Sequence, residues 1–212
     1  MANAGYFAAP ERRRRILDSA RRVFAARGYH ATNISHICED LGIARGTLYL
    51  HFKSKKEVFA AIVEDLLDRV RGAVDSSPAP EIPSGLSPTR AQIVRYSARS
   101  IERTLAAAFA DETSLRILVR EAVGLDVHID AILRAIDDIV IGKFAEHLGV
   151  AQRLGVIRPD ADPRAAALFV LGGIQKLALD ALAREGRIDL ARLANEAARL
   201  QMTGLLSDEV KP

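Results

Sequence analysis

Apolar residues recur along this chain at intervals of three and four, and no alternating stretch lasts long enough to make a strand, so each patterned segment is predicted helical. Ile16, Ala20, Val23 and Phe24 mark one face of a first helix over Glu11 to Arg27, which Gly28 stops. A short second helix, Asn33 to Asp40, has Thr32 as its expected N-cap and turns Ile34, Ile37, Cys38 and Leu41 inward before Gly42 ends it. Only Gly42, Ile43 and Ala44 separate it from a third, Arg45 to His51. Ser54 and Glu57 have capping-box spacing at the start of a fourth, which reaches Arg71 with Val58, Ile62, Leu66 and Val70 as its stripe.

Residues 75–88 hold four of the eight prolines (Pro78, Pro80, Pro83 and Pro88) and are predicted to be a loop dividing a head from a body. Five further helices follow. Ser87-Pro88 opens one that runs to Ala110, and Asp111 caps the next, with Leu115, Leu118, Val119 and Ala122 inward. A long helix from Asp126 to Leu154 turns Ile129, Ile132, Leu133, Ile136, Val140 and Phe144 inward. Asp162-Pro163 starts another, to Glu185, and Asp189 a last one, to Leu206. The fold class is all-α, with about nine helices.

Charge divides the chain at the same place. Residues 1–56 hold eleven Lys/Arg against four Asp/Glu, a net +7, and the remainder holds nineteen against twenty-three, a net −4. A basic head on an acidic body is the footprint of a polyanion partner. Mean hydropathy of +0.06 and 49% hydrophobic residues leave ample material for a core. The single cysteine excludes a disulfide framework, and Cys38 is expected to be a core residue. The longest apolar run, Ala165 to Ile174, has ten residues against the ~20 that span a bilayer, and the basic cluster at Arg12–Arg15 follows the apolar residues, the reverse of a secretory signal. The expectation is a cytoplasmic protein without a membrane partner.

Two short helices joined by a tight glycine turn, behind a packed first helix, make a helix-turn-helix over 33–52, whose second helix enters the DNA major groove. That reading explains the mixed stretch "ARGTLYLHFKSKKE", residues 44–57. Leu48 and Phe52 hold the helix on the core. Arg45 and Thr47 lie at its tip, while Tyr49, His51, Lys53 and Lys55 are placed to meet phosphates.

Residues 12–62, "RRRRILDSARRVFAARGYHATNISHICEDLGIARGTLYLHFKSKKEVFAAI", resemble the DNA-binding domain of the TetR family, with its Phe-x-x-x-Gly-Tyr, Gly-Thr-Leu-Tyr-x-His-Phe and Lys-Glu landmarks and no gap. The resemblance implies a helix-turn-helix DNA-binding domain over residues 10–71 and a helical ligand-binding and dimerisation domain over 72–212. It implies a homodimer that represses transcription until a small-molecule effector binds the body. The resemblance carries phosphate contacts onto Thr32, Tyr49, His51 and Lys55, and base contacts onto Arg45, Gly46 and Thr47. Two basic heads on one dimer predict a palindromic DNA operator, and the apolar stripes around Phe109, Ile136, Val140 and Phe169 suggest a largely hydrophobic effector. Two positions depart from the family pattern: Ala44 stands where a Ser or Thr cap is usual, and Leu50 where a larger polar or aromatic residue is common.

In the body, Tyr96, Arg99, Phe109, His147, Phe169 and Gln175 are the candidate effector contacts, and Leu193, Ala197, Leu200 and Gly204 recur on the final helix as a candidate dimer stripe. Gly172-Gly173 suggests close helix packing at that point. The histidines show no i, i+4 pair, and Asp137 and Asp138 are adjacent and so point to different faces; neither a metal site nor a carboxylate pair is expected. No nucleophile–base pair, P-loop or glycine-rich cofactor loop occurs, so the chain is read as no enzyme and as needing no cofactor. The competing function is a constitutive DNA-binding or architectural protein without an effector. About 120 residues of amphipathic helix exceed what dimerisation alone requires.

Overall fold

The computed structural model describes residues 9–76, 88–122, 124–184 and 188–205. Among them lie nine α-helices and one π-helical turn, with no β-strand. They are α1 (Ala9–Arg27), α2 (Ile34–Leu41), α3 (Arg45–Tyr49), α4 (Lys55–Asp75), α5 (Arg90–Phe109), α6 (Glu112–Ile117), α7 (Val127–Arg153), α8 (Pro163–Ala183) and α9 (Leu190–Leu205), with the π turn at Leu118–Ala122. Most expected boundaries hold within two residues, because the caps that set them are local: Asp111, Asp162 and Asp189 each accept the backbone N–H groups that their helices leave unpaired. Two caps shift by one or two residues. Asn33, not Thr32, caps α2, in a reciprocal box with His36. Thr89, not Ser87-Pro88, caps α5, in a box with Gln92. Glu185, Leu206, residues 77–87 of the expected loop (Ser87 among them) and the side chain of Ile136 lie outside the described residues.

The chain divides into two compact units, the first comprising Met1–Leu66 with Asp111–Ile132, the second Leu67–Ala110 with Leu133–Pro212. The division falls inside α4 and inside α7. Residues 111–132 thus belong with the head, although the proline-rich loop alone suggested a boundary that left them in the body.

In the first unit, Ile16, Ala20, Phe24, Ile37, Leu48, Phe52, Phe59 and Ile62 are buried together with Ile117, Ala122 and Ile129. Phe24, Tyr29 and Phe59 form an aromatic cluster with ring centroids 4.8–5.7 Å apart and mostly edge-to-face. Arg21 accounts for the docking of α6 on α1. Its nearly buried guanidinium meets Asp18 at 2.8 Å, Asp111 at 3.1 Å and the hydroxyl of Ser114 at 2.9 Å, and it also pairs with Asp65 of α4. The inward face of α6 is therefore Ser114 and Ile117, continued by Ala122, and not the stripe of Leu115, Leu118 and Val119 that periodicity suggested. The π turn rotates the face after Ile117, which leaves Val119 exposed.

In the second unit α5 packs on α9. Ala98, Ile101 and Leu105 meet Ala194, Ala197 and Ala198, flanked by Val94, Phe109, Ile174 and Leu193. Small residues at the contact let the two helices approach closely. Buried Gln201 donates to Ser97 across the same contact. A second cluster of Leu148, Val156, Ile157 and Met202 closes the far end. Helix α8 packs on this core along one edge only, through Ala166, Ile174, Leu177 and Ala178. At 21 residues it is long and apolar enough to cross a membrane, yet only 17% of that stretch is buried.

Replacing Arg21 tests how the first unit is held together. Arg21→Met removes the cation that three carboxylates share, an expected loss of about 2 kcal/mol of stability. Arg21→Lys should restore only part of it, since an ammonium cannot fork to several partners. Urea unfolding followed by circular dichroism at unchanged midpoint for Arg21→Met would show that the network contributes nothing.

Candidate nucleic-acid interface

The turn between α2 and α3 is built by one left-handed residue. Gly42 adopts φ +69°, and its N–H bonds Glu39 while that of Ile43 bonds Cys38, so α2 ends there and the chain reverses. Helix α3 starts without help: Ala44 makes no side-chain cap, the cost of which is about 1 kcal/mol. Buried Leu48 and Phe52 offset that cost, and the guanidinium of Arg13 lies 5.0 Å over the Phe52 ring. Of the arginine run, Arg13 thus braces α3 from α1, and Arg14 pairs with Glu11 at 2.9 Å.

With one edge of α3 fixed, its other edges face solvent. Arg45, Gly46, Tyr49 and Lys53 are exposed, and Thr47 and His51 are half-buried. Tyr49 is 52% exposed and Leu50 84%. Arg45 donates to the hydroxyl of Ser35 on α2, which holds the guanidinium along the outer surface. Gly46 has an ordinary helical conformation, and a Cβ there would meet nothing within 4 Å. Nothing inside the protein therefore requires glycine, although it costs the helix about 1 kcal/mol relative to alanine.

Two predicted phosphate contacts are occupied internally. Thr32 is 2% exposed; its hydroxyl donates to the carbonyl of Gly28 at 2.7 Å and its N–H to that of Tyr29. The side chain fastens the α1–α2 turn, so the hydroxyl of Thr32 is not available for the expected phosphate contact. The Lys55 ammonium donates to the carbonyl oxygens of Tyr29 and Thr32, both at 2.7 Å, and sits 4.2 Å from the centre of the Tyr29 ring. Burial lowers its pKa. Two of its three N–H donors hold the turn, which leaves one to point outward. Ser54 caps α4 by accepting the Glu57 N–H at 3.1 Å, and the Glu57 carboxylate accepts from Lys53 N–H at 2.6 Å, one residue before the position a standard box would use. Lys56 bonds Asp126 at 2.6 Å and, first among several causes, keeps that carboxyl below its usual pKa. Periodicity missed Leu50 and Lys56, since their roles rest on exposure or on a partner distant in sequence; Asn33 was passed over because Thr32 beside it is also a capping residue. Cys38 is buried and its thiol pushed up by burial, consistent with a core residue.

The second unit contains a narrow cleft of ≈ 60 Å³ lined by Val74, Ser100, Ile101, Thr104, Val140, Lys143, Phe144, His147, Leu171 and Ile174. Of the six effector candidates only His147 lines it. Its imidazole pKa is lowered by burial and then by Lys143, while Glu146 opposes them. Phe109 packs against the α5–α9 core, and Arg99 and Gln175 are exposed. Tyr96 is half-buried outside the lining, its phenol pushed up by burial. Phe169 is 81% exposed and borders a separate groove with Leu200 and Gly204. The dimer stripe on α9 also divides: Leu193 and Ala197 pack inside the unit, while Leu200 (71% exposed) and Gly204 face out. The reason is that the inward edge of α9 is set by Ala194, Ala197, Ala198 and Gln201, so the larger leucines lie at its flank. Gly172 and Gly173 are exposed, and a Cβ on either would meet nothing within 4 Å, so no packing among the described residues explains them.

Comparison with known proteins agrees with this geometry. Residues 16–62 match the family described as bacterial regulatory proteins, tetR family. The chain is 28% identical over 196 residues to the uncharacterized HTH-type transcriptional regulator YdgC of Bacillus subtilis, covering 92% of this chain and 93% of the relative. It is 24% identical over 194 residues to the fatty acid metabolism regulator protein of the same organism, covering 90% and 93%. In fold it is similar to SmeT in the SmeT–triclosan complex, with TM-score 0.73, 24% identity and 95% of each chain covered. The helix-turn-helix, the exposed outer edges of α3 and these likenesses make residues 16–62 a DNA-binding domain of the tetR family and the chain a DNA-binding transcriptional regulator.

Proposed function

We propose that the protein is a cytoplasmic homodimeric repressor, released from a palindromic operator when a small, largely hydrophobic effector enters the cleft of the second unit. The observation that carries the reading is α4. Its first turn holds the α1–α2 turn through Lys55, and its last turn contributes Val74 to the cleft. One continuous helix therefore has an end in each place. Six of the ten lining residues of the cleft are apolar, and His147, Lys143, Ser100 and Thr104 supply a few polar groups, the usual composition of a small-molecule site. At ≈ 60 Å³ it has room for little more than two waters, so an effector of ordinary size must spread its walls. A constitutive DNA-binding protein would have no use for this cleft.

The dimer reading rests on α8. An apolar helix that buries so little of itself within its own chain needs cover, and Leu168, Phe169 and Leu179 on α8 and Leu200 on α9 are the exposed residues. Exposed Gly172 and Gly173 would let a second backbone approach this surface. A two-fold dimer places two recognition helices on half-sites about 34 Å, or a multiple of it, apart.

The contact assignment has a direct check. Arg45→Ala should cost about 1–3 kcal/mol on the operator, much less on random DNA, and relax the sequence preference. Lys53→Ala should weaken both alike and flatten the salt dependence by about one counterion. Lys53 serves better than Lys55 here, because truncating Lys55 also frees the α1–α2 turn. Equal effects of the two variants on specific and random duplexes would dismiss the assignment.

For the dimer, Phe169→Glu with Leu200→Glu should give a monomer in sedimentation and a protein that protects only one half-site weakly in footprinting. A variant that stays dimeric would place the interface elsewhere.

The effector is found by titrating lipophilic compounds against operator-bound protein and following fluorescence anisotropy. A compound that prefers the DNA-free state by about 3 kcal/mol lowers operator affinity over a hundredfold. Ile174→Trp should fill the cleft and abolish that response while leaving DNA affinity near wild type. Tight binding without any loss of DNA affinity would refute an effector role, since a ligand with equal affinity for both states shifts neither.

A further inference from the structure

Two features of α3 have no explanation within the protein. Leu50 is the most exposed large apolar residue on the described chain at 84%, and it lies at the C-terminal end of α3. Gly46 weakens a helix of only five residues, yet its φ is not left-handed and a Cβ would meet nothing. Helical geometry brings the two together. Leu50 retains helical angles (φ −68°, ψ −20°), so it stands one turn beyond Gly46 and Thr47, at i+4 and i+3. A helical side chain leans over the turn that precedes it. The isobutyl group of Leu50 thus leans toward the gap where Gly46 has no side chain, with the Thr47 methyl at its border. On the opposite edge of α3, Leu48 is fully buried, so this notch is turned away from the core. The neighbouring stripe, Arg45 and Tyr49, carries the polar groups.

We propose that Gly46, Thr47 and Leu50 form an apolar notch that reads the 5-methyl group of a thymine in each operator half-site. The proposal rests on α3 occupying the major groove. A leucine has no donor or acceptor for a phosphate or for the polar edge of a base, and the thymine methyl is the one apolar group that the major groove displays. Glycine leaves the depth for that methyl, and the leucine and threonine methyls supply its wall. The notch adds selectivity that Arg45 cannot provide, because a guanidinium forks onto guanine.

The test begins by selecting duplexes from a random pool with the full-length protein, then replacing each thymine of the selected site, one at a time, by deoxyuridine. This removes a single methyl and leaves every hydrogen-bonding group in place. At one position per half-site the wild type should lose about fourfold in affinity, and about fifteenfold when both half-sites are changed. Leu50→Ala should bind the thymine operator more weakly and should no longer distinguish the deoxyuridine duplex from it. Gly46→Ala should melt at or above the wild-type temperature, since alanine favours the helix and the space is open, and yet bind the operator less tightly. A wild type indifferent to deoxyuridine at every position overturns the proposal, as does Leu50→Ala retaining the full deoxyuridine penalty, or a selected half-site without thymine beneath α3. Failure to enrich any duplex would instead remove the DNA-binding assignment on which the proposal rests.

Discussion

Burial of Leu48 and Phe52 is the constraint on which the DNA-binding end depends. Helix α3 is five residues long and uncapped, far below the length at which backbone hydrogen bonds sustain a helix in water. It exists because those two side chains are fixed in the core of the first unit, under Arg13 on one side. The same anchorage decides orientation. Once Leu48 points inward, helical geometry turns Gly46, Thr47 and Leu50 outward together. Recognition and folding are therefore one event in this segment, and a residue can serve recognition only on the edges that the anchors leave free.

The rest of the first unit holds that platform still. Arg21 gathers Asp18, Asp65, Asp111 and Ser114, so α1, α4 and α6 share a single cation. On the other side of α1, the Asp40 carboxylate takes the Ser19 hydroxyl at 2.6 Å and Arg22 at 2.6 Å. Its pKa is held low by the Ser19 hydrogen bond first and by Arg22 second. Its contribution to folding is accordingly present above the unfolded value near 3.8 and fades as pH falls through the lower folded value. Lys55 shows how closely binding and structure are joined here: the ammonium that resembles a phosphate ligand mostly holds two carbonyl groups of the α1–α2 turn.

The second unit follows a different economy of side chains. Alanines line the α5–α9 contact, which permits close packing and moves the bulky residues outward, to α8 and to the flank of α9. Phe169 and Leu200 are left bare as a result, and a narrow, mostly apolar cleft lies between α5, α7 and α8.

Helix number, the caps at Asp111, Asp162 and Asp189, the glycine turn and the two anchors Leu48 and Phe52 were all determined by the sequence itself, because each depends on residues within one or two turns. The motif of residues 44–57 was legible for the same reason. Tertiary structure alone decided the matters that depend on distant partners. Lys55 turned inward because the carbonyls of Tyr29 and Thr32 came within reach of its ammonium. Residues 111–132 joined the head because Arg21 and Lys56 met Asp111 and Asp126, and α6 broke into a π turn that rotated its apolar face. On α9 periodicity found a stripe but placed it at the flank, since hydrophobic size marks leucine as inward whereas close helix contact selects alanine. Leu50 was visible as a letter out of place, but its significance required knowing that it is bare and that the glycine one turn before it stands in open space.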